Sequence, residues 1–151
     1  MSDHQRDFLD DNTSELIDQM IRVAGACPAD QVIIAGSRLD LLIGLLRRGF
    51  AGVSSIAAGS PVGGEDADIL LIPDAGSPEQ LRHALPRLLR RLHPGGTAVL
   101  HQLPGGSPQG RRELRRALQD FGLATLGELA SADGVLLTAR KPGALRLGQV
   151  A

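Results

Sequence analysis

Apolar runs alternate with amphipathic segments along this chain, and the alternation predicts an α/β fold. The continuous apolar run Val32–Ala35 is typical of a parallel strand that is buried on both faces. Gly36 turns the chain, and a helix follows, with Ser37 available as its cap and Gly49 at its end. The leucines expected on the buried face of this helix are Leu39, Leu42, Leu45 and Leu46. This unit is the first half of a βαβ motif, and the rest of the chain is arranged around it.

A helix and two strands flank this unit. Asn12 and Glu15 have the spacing of a capping box, and the amphipathic stripe that follows them ends at Gly25. We expect strands over residues 53–58 and 69–72. Only about ten residues join these strands, too few for a crossover that contains a full helix, so we expect them on opposite sides of the first strand.

Two later helices are marked by a serine followed by a proline. Ser77 begins the first, Gln80 closes a capping box, and Pro86 is expected to kink the helix before it ends at the segment His-Pro-Gly-Gly. A strand is expected over residues 97–103. Ser107 begins the second helix, whose apolar positions are Leu114, Ala117, Leu118 and Phe121.

A β-hairpin is expected to close the sheet. Residues 124–129 and 134–140 flank a Ser-Ala-Asp turn, and both segments have strand-like composition. The expected strand order is therefore 53–58, 32–35, 69–72, 97–103 and then the hairpin. We divide the chain into an acidic flexible N-terminus over residues 1–11, one α/β domain over 12–142 and a C-terminal tail over 143–151.

Composition narrows the possible functions. A net charge of −1 and a pI near 6.4 give the chain no overall attraction to nucleic acid or to a membrane surface. The single cysteine, Cys27, excludes an intramolecular disulfide framework, and we expect it to be a small buried thiol. The polar N-terminus and the absence of a long apolar run lead us to expect a cytoplasmic protein without a membrane span.

The segment over residues 88–100, Leu-Leu-Arg-Arg-Leu-His-Pro-Gly-Gly-Thr-Ala-Val-Leu, resembles a motif of the class I S-adenosylmethionine-dependent methyltransferases. In that family a leucine-rich helix ends in Leu-x-Pro-Gly-Gly and enters a strand. Residues 31–50 resemble the family's first motif, residues 68–72 its fourth strand and residues 134–142 its last antiparallel strand. The resemblance implies a three-layer Rossmann-like doubly wound sheet, mostly parallel with a C-terminal antiparallel hairpin, in which the family's third strand is missing.

Most residues that the resemblance assigns to the cofactor are absent. Of the family's glycine-rich turn only Gly36 remains, and the second strand ends Ile-Ala-Ala without the carboxylate that binds the ribose hydroxyls. If S-adenosylmethionine binds, the candidate cofactor-binding residues are Gly36, Ser37, Asp40 and Asp74. The simpler interpretations make Asp40 an exposed first-turn acid that stabilises the helix dipole, and Asp74 a turn residue.

We assign no catalytic residue and expect no metal site. Where some members of the family carry Asn-Pro-Pro-Tyr, this chain has Ile-Pro-Asp-Ala over residues 72–75. The four histidines have no ligand-like spacing, and we expect them to be solvated or locally bonded: His4, His83, His93 and His101. Four arginines form a basic helix face, which is usually solvated: Arg111, Arg112, Arg115 and Arg116.

The sequence favours a degenerate methyltransferase-like domain, a pseudoenzyme that acts as an interaction or regulatory module without a cofactor. One alternative is an active small-molecule methyltransferase that binds S-adenosylmethionine in an atypical pocket. Another is an arginine-mediated binder of polyanions, although nucleic acid is not the expected partner. The strand that begins at Val53 and would end at Ala58 carries no charge and no proline, so its edge is expected to bind a second copy or a protein partner.

Overall fold

The computed structural model describes residues 11–36, 38–56, 66–74, 76–102, 108–131 and 134–143. Within these ranges, no helix is long and apolar enough to cross a lipid bilayer. Helices and strands follow one another in the order α1 (Asp11–Ala24), β1 (Val32–Ala35), α2 (Leu39–Arg47), β2 (Val53–Ile56), β3 (Ala67–Ile72), α3 (Pro78–Leu89), β4 (Leu92–Gln102), α4 (Pro108–Asp120), β5 (Ala124–Ser131) and β6 (Gly134–Arg140).

The strands form one sheet in the order β2-β1-β3-β4-β6-β5. β1 is parallel to β2 on one side and to β3 on the other, and β3 is parallel to β4. β6 is antiparallel to both β4 and β5. The α/β fold, the strand order and the C-terminal hairpin are therefore confirmed. The prediction that the third family strand is missing concerns residues 57–65, which lie outside the described residues, as does the expected strand end at Ala58.

Two apolar cores lie on opposite faces of the sheet, because successive side chains of each buried strand point to opposite sides. Val32 and Ile34 of β1 pack in the core beneath α1 and α2. Ile33 packs in the core beneath α3 and α4. In β4, Val99 belongs to the first core, whereas Ala98 and Leu100 belong to the second. This is the three-layer arrangement that the apolar runs predict.

The helix starts agree only in part with the predictions. Ser77 caps α3 as expected: its Oγ accepts a hydrogen bond from Gln80 N at 3.1 Å, and Gln80 Oε1 accepts one from Ser77 N at 3.0 Å. Pro86 lies inside α3. The capping box at Asn12 is wrong, because α1 already includes Asp11 and Asn12. Ser107 lies outside the described residues.

The buried face of α2 differs from the one predicted. Leu41, Gly44 and Leu45 face the core, whereas Leu39 and Leu46 are 58% and 48% exposed. The helix is apolar on nearly every side, so its hydrophobic spacing fits more than one face. Contacts with α1 select the observed face, since Arg48 at the end of α2 donates to Asp18 Oδ1 on α1 at 2.8 Å.

Two further residues that were predicted to be buried are exposed. Cys27 lies in a turn after α1, where its backbone N–H donates to Asp30 Oδ2 at 2.8 Å, and the negative charge of Asp30 raises the pKa of the thiol. Phe121 follows the last residue of α4 and is 38% exposed. The chain reverses at Gly122, whose φ is +86°, and Leu123 fills the core in its place.

β4 begins earlier than expected. The segment His-Pro-Gly-Gly was predicted to end α3 before a strand at Thr97, but the strand starts at Leu92. The register of β4 against β3 shifts between Ala67 and Ile69, and this irregularity accommodates the extra residues. Gly95 N donates to Lys141 O at 2.7 Å, and Lys141 N donates to Gly96 O at 2.9 Å. The segment is thus part of the sheet because it pairs with the chain that leaves β6.

Lys141→Met is expected to lower the free energy of unfolding by about 1–3 kcal/mol, since charged hydrogen bonds are lost and their acceptors are left unpaired. Lys141 Nζ donates to Leu89 O, at the end of α3, at 2.7 Å and to Leu92 O, at the start of β4, at 2.8 Å. Urea denaturation followed by circular dichroism measures the change. The matched control is Arg140→Met, an exposed neighbour that should cost under about 0.5 kcal/mol. Equal losses in the two variants would contradict the prediction.

Candidate functional site

The carboxyl ends of the four parallel strands meet at one edge of the sheet, where doubly wound folds bind their ligands. β1 leads into Gly36, β3 leads into Pro73 and Asp74, and β4 ends at Gln102. The N-terminus of α2 begins beside the end of β1, so its first-turn residue Asp40 belongs to the same region. Three of the four candidate residues therefore flank this edge, while Ser37 lies outside the described residues.

Gly36 makes the turn that leaves β1. Its φ is +105°, a conformation that favours glycine, and its N–H donates to Ile56 O at 2.8 Å. That bond ties the turn to the end of β2. A Cβ at this position would meet nothing within 4 Å. The backbone angle therefore favours glycine at this position, whereas the surrounding atoms would leave room for a larger side chain.

Arg38 and Asp40 form an ion pair at the start of α2. Arg38 Nε donates to Asp40 Oδ1 at 2.9 Å, and Nη2 donates to Oδ2 at 2.8 Å. The hydrogen bond from the guanidinium lowers the pKa of the Asp40 carboxyl. The prediction of an exposed carboxylate is corrected here, because Asp40 is partly buried and both of its oxygens are engaged by the arginine. Arg38 was not among the predicted site residues, although it lies two residues before Asp40 at the start of the predicted helix.

Asp74 closes a local turn after β3. Its Oδ1 accepts a hydrogen bond from Gly76 N at 3.1 Å, which is the geometry of an Asx turn. The turn-forming interpretation of Asp74 is confirmed. The proposed cofactor-binding roles of Gly36, Ser37, Asp40 and Asp74 stay predictions.

His101 was one of the four histidines expected to be solvated or locally bonded, but it is a buried residue of β4. It is only 2% exposed, and its Nδ1 lies 3.2 Å from Pro73 O, a partner 28 positions away. The expectation of a solvated or locally bonded histidine is therefore wrong for this residue. Its Nε2 is buried and has no hydrogen-bond partner in the part of the chain that the structure describes. The available signal was a histidine that directly follows the apolar residues 98–100.

The remaining polar clusters are at the surface. Arg115 on α4 forms an ion pair with Glu128 on β5, and this hydrogen bond lowers the pKa of Glu128. At least one arginine of the basic helix face is therefore engaged within the chain. His93 Nδ1 lies 3.8 Å from Asp66 Oδ2. Across the described ranges, no group of three His, Cys, Asp or Glu side chains is placed to hold a metal ion.

Comparisons with known proteins identify the fold. No protein-family model matches the chain, and a search of curated protein sequences finds no significant match. Similar solved structures are methyltransferases. A putative S-adenosylmethionine-dependent methyltransferase from Methanococcus maripaludis is 13% identical, with a TM-score of 0.66 over 97% of this chain and 92% of that one.

Two further structures show the same similarity. The N-methyltransferase NodS from Bradyrhizobium japonicum WM9 is 17% identical, with a TM-score of 0.55 over 89% of this chain and 99% of that one. Geranyl diphosphate C-methyltransferase from Streptomyces coelicolor A3(2), solved with S-adenosyl-L-homocysteine, is 14% identical. The TM-score is 0.62 over 85% of this chain and 77% of that one. At these identities the comparisons show a shared fold.

Proposed function

We propose that this chain, which has the fold of the class I S-adenosylmethionine-dependent methyltransferases, is a methyltransferase-like domain that acts as a non-catalytic interaction or regulatory module. The observation that carries the proposal is the ion pair between Arg38 and Asp40 at the start of α2. Asp40 is the carboxylate that could compensate for the missing acidic residues of the family, and both of its oxygens already accept hydrogen bonds from Arg38.

The charge of the cofactor makes this pair important. S-adenosylmethionine carries a sulfonium cation, an ammonium group and one carboxylate, so its net charge is positive and a free carboxylate in the site would favour its binding. The pair of Arg38 with Asp40 has no net charge, so it offers no free carboxylate to the positive groups of the cofactor. Asp74 directs one carboxylate oxygen to the N–H of Gly76. These residues do not fit the cofactor.

The backbone supports the same conclusion. The turn after β1 retains the single glycine Gly36, whereas the family uses several glycines to bring the backbone close to the ligand. The described part of β2 ends at Ile56 without a carboxylate. Methyl transfer depends mainly on holding the two reactants close and aligned. A pocket that does not hold the cofactor therefore removes the reaction as well.

An active methyltransferase with an atypical pocket is the second candidate, and His101 is the observation that favours it. Its buried Nε2 lacks a hydrogen-bond partner in the described residues, although it lies at the strand ends where a ligand would bind. Buried polar atoms are normally satisfied, so such an atom is a reason to test for a ligand.

Thermal denaturation with and without cofactor tests the proposal. Ligand at about 1,000 times its Kd would stabilise the native state by about 4 kcal/mol, a rise in Tm of roughly 10 °C for a chain of this size. We expect no rise above scatter with S-adenosylmethionine or S-adenosylhomocysteine. Circular dichroism or a dye must report the transition, since the chain has no Trp or Tyr. Geranyl diphosphate C-methyltransferase is the positive control, and a reproducible rise of several degrees would overturn the proposal.

Arg38→Ala separates the electrostatic reason from the loss of the glycines. The substitution removes the cation and its two hydrogen bonds to Asp40, at a cost to folding of about 0–1 kcal/mol for a partly exposed pair. We expect the variant to remain insensitive to S-adenosylmethionine, because its turn still has only Gly36. A rise in Tm that is confined to the variant would identify the ion pair as the sole obstacle to binding.

A further inference from the structure

β2 is at one end of the sheet, and β1 is its single hydrogen-bonded neighbour in the described strands. Val32 N donates to Gly52 O at 2.8 Å, and Gly36 N donates to Ile56 O at 2.8 Å. In a parallel pair, alternate residues direct both backbone polar groups to the same neighbour. Gly52, Ser54 and Ile56 therefore face β1. The N–H and C=O groups of the two intervening residues, Val53 and Ser55, point away from the sheet, and we call them the β2 edge.

The β2 edge lacks the features that normally prevent association. Exposed edges are usually protected by charged side chains, by proline or by burial beneath another segment. The four residues of Val53–Ile56 include neither a charge nor a proline, and both Ser54 and Ser55 are exposed. No like charges would therefore meet if two such edges approached each other.

An apolar stripe on α2 lies beside this edge. Leu39, Leu42 and Leu46 are spaced three and four residues apart, so they share one side of the helix. The opposite side of α2 faces α1. Arg48, at the end of α2, donates one hydrogen bond to Asp18 on α1 and another to Gly44 O within α2. Leu39 and Leu46 are exposed, while Leu42 and Val53 pack at the margin of the same core. We call these three leucines the leucine stripe.

We propose that a second copy of this chain occupies the β2 edge and the leucine stripe, with the two β2 strands antiparallel; this rests on the proposed role as an interaction module. The hydrogen-bonding pattern selects the register. If Ser54 faces the partner's Ser54, then Val53 faces the partner's Ser55, and each such pair exchanges both of its N–H···O bonds. Every outward backbone group of the described edge is then satisfied by the same groups of the second copy, as a two-fold interface requires.

The same symmetry brings the leucine stripes together. In the proposed dimer the two-fold axis is perpendicular to the sheet. The two α2 helices therefore lie on the same face of the joined sheet, one on each side of the paired β2 strands. Strands lie about 4.8 Å apart and packed helices about 8–10 Å apart, so a helix that covers β1 and β2 comes close to its counterpart. Leu39 and Leu46, which are exposed in the single chain, would be buried between the helices. Backbone pairing and apolar burial therefore favour the same partner.

Disulfide trapping tests the register. Cys27 is exposed and is first replaced by alanine. In this background the Ser54→Cys variant should form a covalent dimer on mild oxidation, because facing residues of a non-hydrogen-bonded antiparallel pair have Cα atoms about 4.5 Å apart, within disulfide range. The matched control is Ser55→Cys, at a position that is also exposed. In the proposed register the two copies of this position are diagonal neighbours about 7–8 Å apart, so they should cross-link far less. Non-reducing gels at tens of micromolar protein measure both.

Ser55→Pro tests whether the edge holds the dimer together. The substitution removes an N–H group that points away from the sheet and leaves every hydrogen bond to β1 in place. An edge strand can therefore tolerate it. Light scattering after size exclusion should report a dimer for the natural sequence and a monomer for the variant, with similar circular dichroism spectra. Leu46→Glu places a charge in the leucine stripe and should also give a monomer, which covers the case in which the proline variant does not fold.

A monomeric natural sequence at tens of micromolar would overturn the inference, and so would equal cross-linking of the two cysteine variants. The cofactor melts separate this result from the proposed function. A dimer that also gains stability from S-adenosylmethionine would leave the interface standing and remove the non-catalytic role. A monomer that ignores the cofactor would remove the interface and leave the non-catalytic role standing.

Discussion

Leu41→Ala is expected to lower the free energy of unfolding by about 2–5 kcal/mol, the usual range for a fully buried leucine. Leu41 is completely buried in the core between α2 and the sheet. The loss combines the transfer free energy of the removed atoms with the cost of the cavity that they leave. Urea denaturation followed by circular dichroism measures it, ideally in the Ser55→Pro background so that association does not contribute.

Leu46→Ala is the matched control for this prediction. It is the same substitution in the same helix, at a position that is 48% exposed in the single chain. We expect a loss under about 1 kcal/mol in the monomer, since little apolar area leaves the core. If Leu46→Ala costs as much as Leu41→Ala, α2 buries the face that the sequence predicted and the observed orientation is wrong.

The two helices α2 and α3 show what hydrophobic spacing can and cannot predict. In α3, charged and polar residues separate the leucines, so only one face can be apolar, and the buried residues are Leu81, Leu85, Leu88 and Leu89. In α2, Leu and Ile occupy most positions and only packing against α1 selects the face. The ambiguity therefore had a physical cause, and the contact that resolves it, Arg48 with Asp18, joins residues 30 positions apart.

The strand order was predictable, whereas the candidate site was not. A short connection between two buried runs cannot contain a crossover helix, and this constraint alone placed β2 and β3 on opposite sides of β1. The site depends instead on which side chains reach each other. The pairing of Arg38 with Asp40 is decided by their rotamers at the start of α2, and the contact of His101 with Pro73 by the alignment of two strands.

Gly96→Ala is expected to destabilise the fold by about 1–3 kcal/mol, as overpacking of a tight site usually does. A Cβ on Gly96 would lie 2.6 Å from Leu92 Cδ1 and 2.9 Å from His93 O. The leucine end could move, but the carbonyl belongs to the backbone of β4. Gly96 O also accepts the N–H of Lys141 at 2.9 Å, which restrains the glycine itself. Urea denaturation measures the loss.

Gly127→Ala provides the control. The comparison tests whether the Pro-Gly-Gly segment has a structural role. Gly127 also lies in a strand, its φ is outside the left-handed region, and an added Cβ would meet nothing within 4 Å, so we expect a change within about 0.5 kcal/mol. A larger loss at Gly96 would mean that this glycine is required by close packing against Leu92 and His93 within the segment. Such packing would give the Pro-Gly-Gly segment a structural role that does not depend on a bound cofactor. Equal changes at the two glycines would remove that explanation, because local packing would then give no reason for the motif.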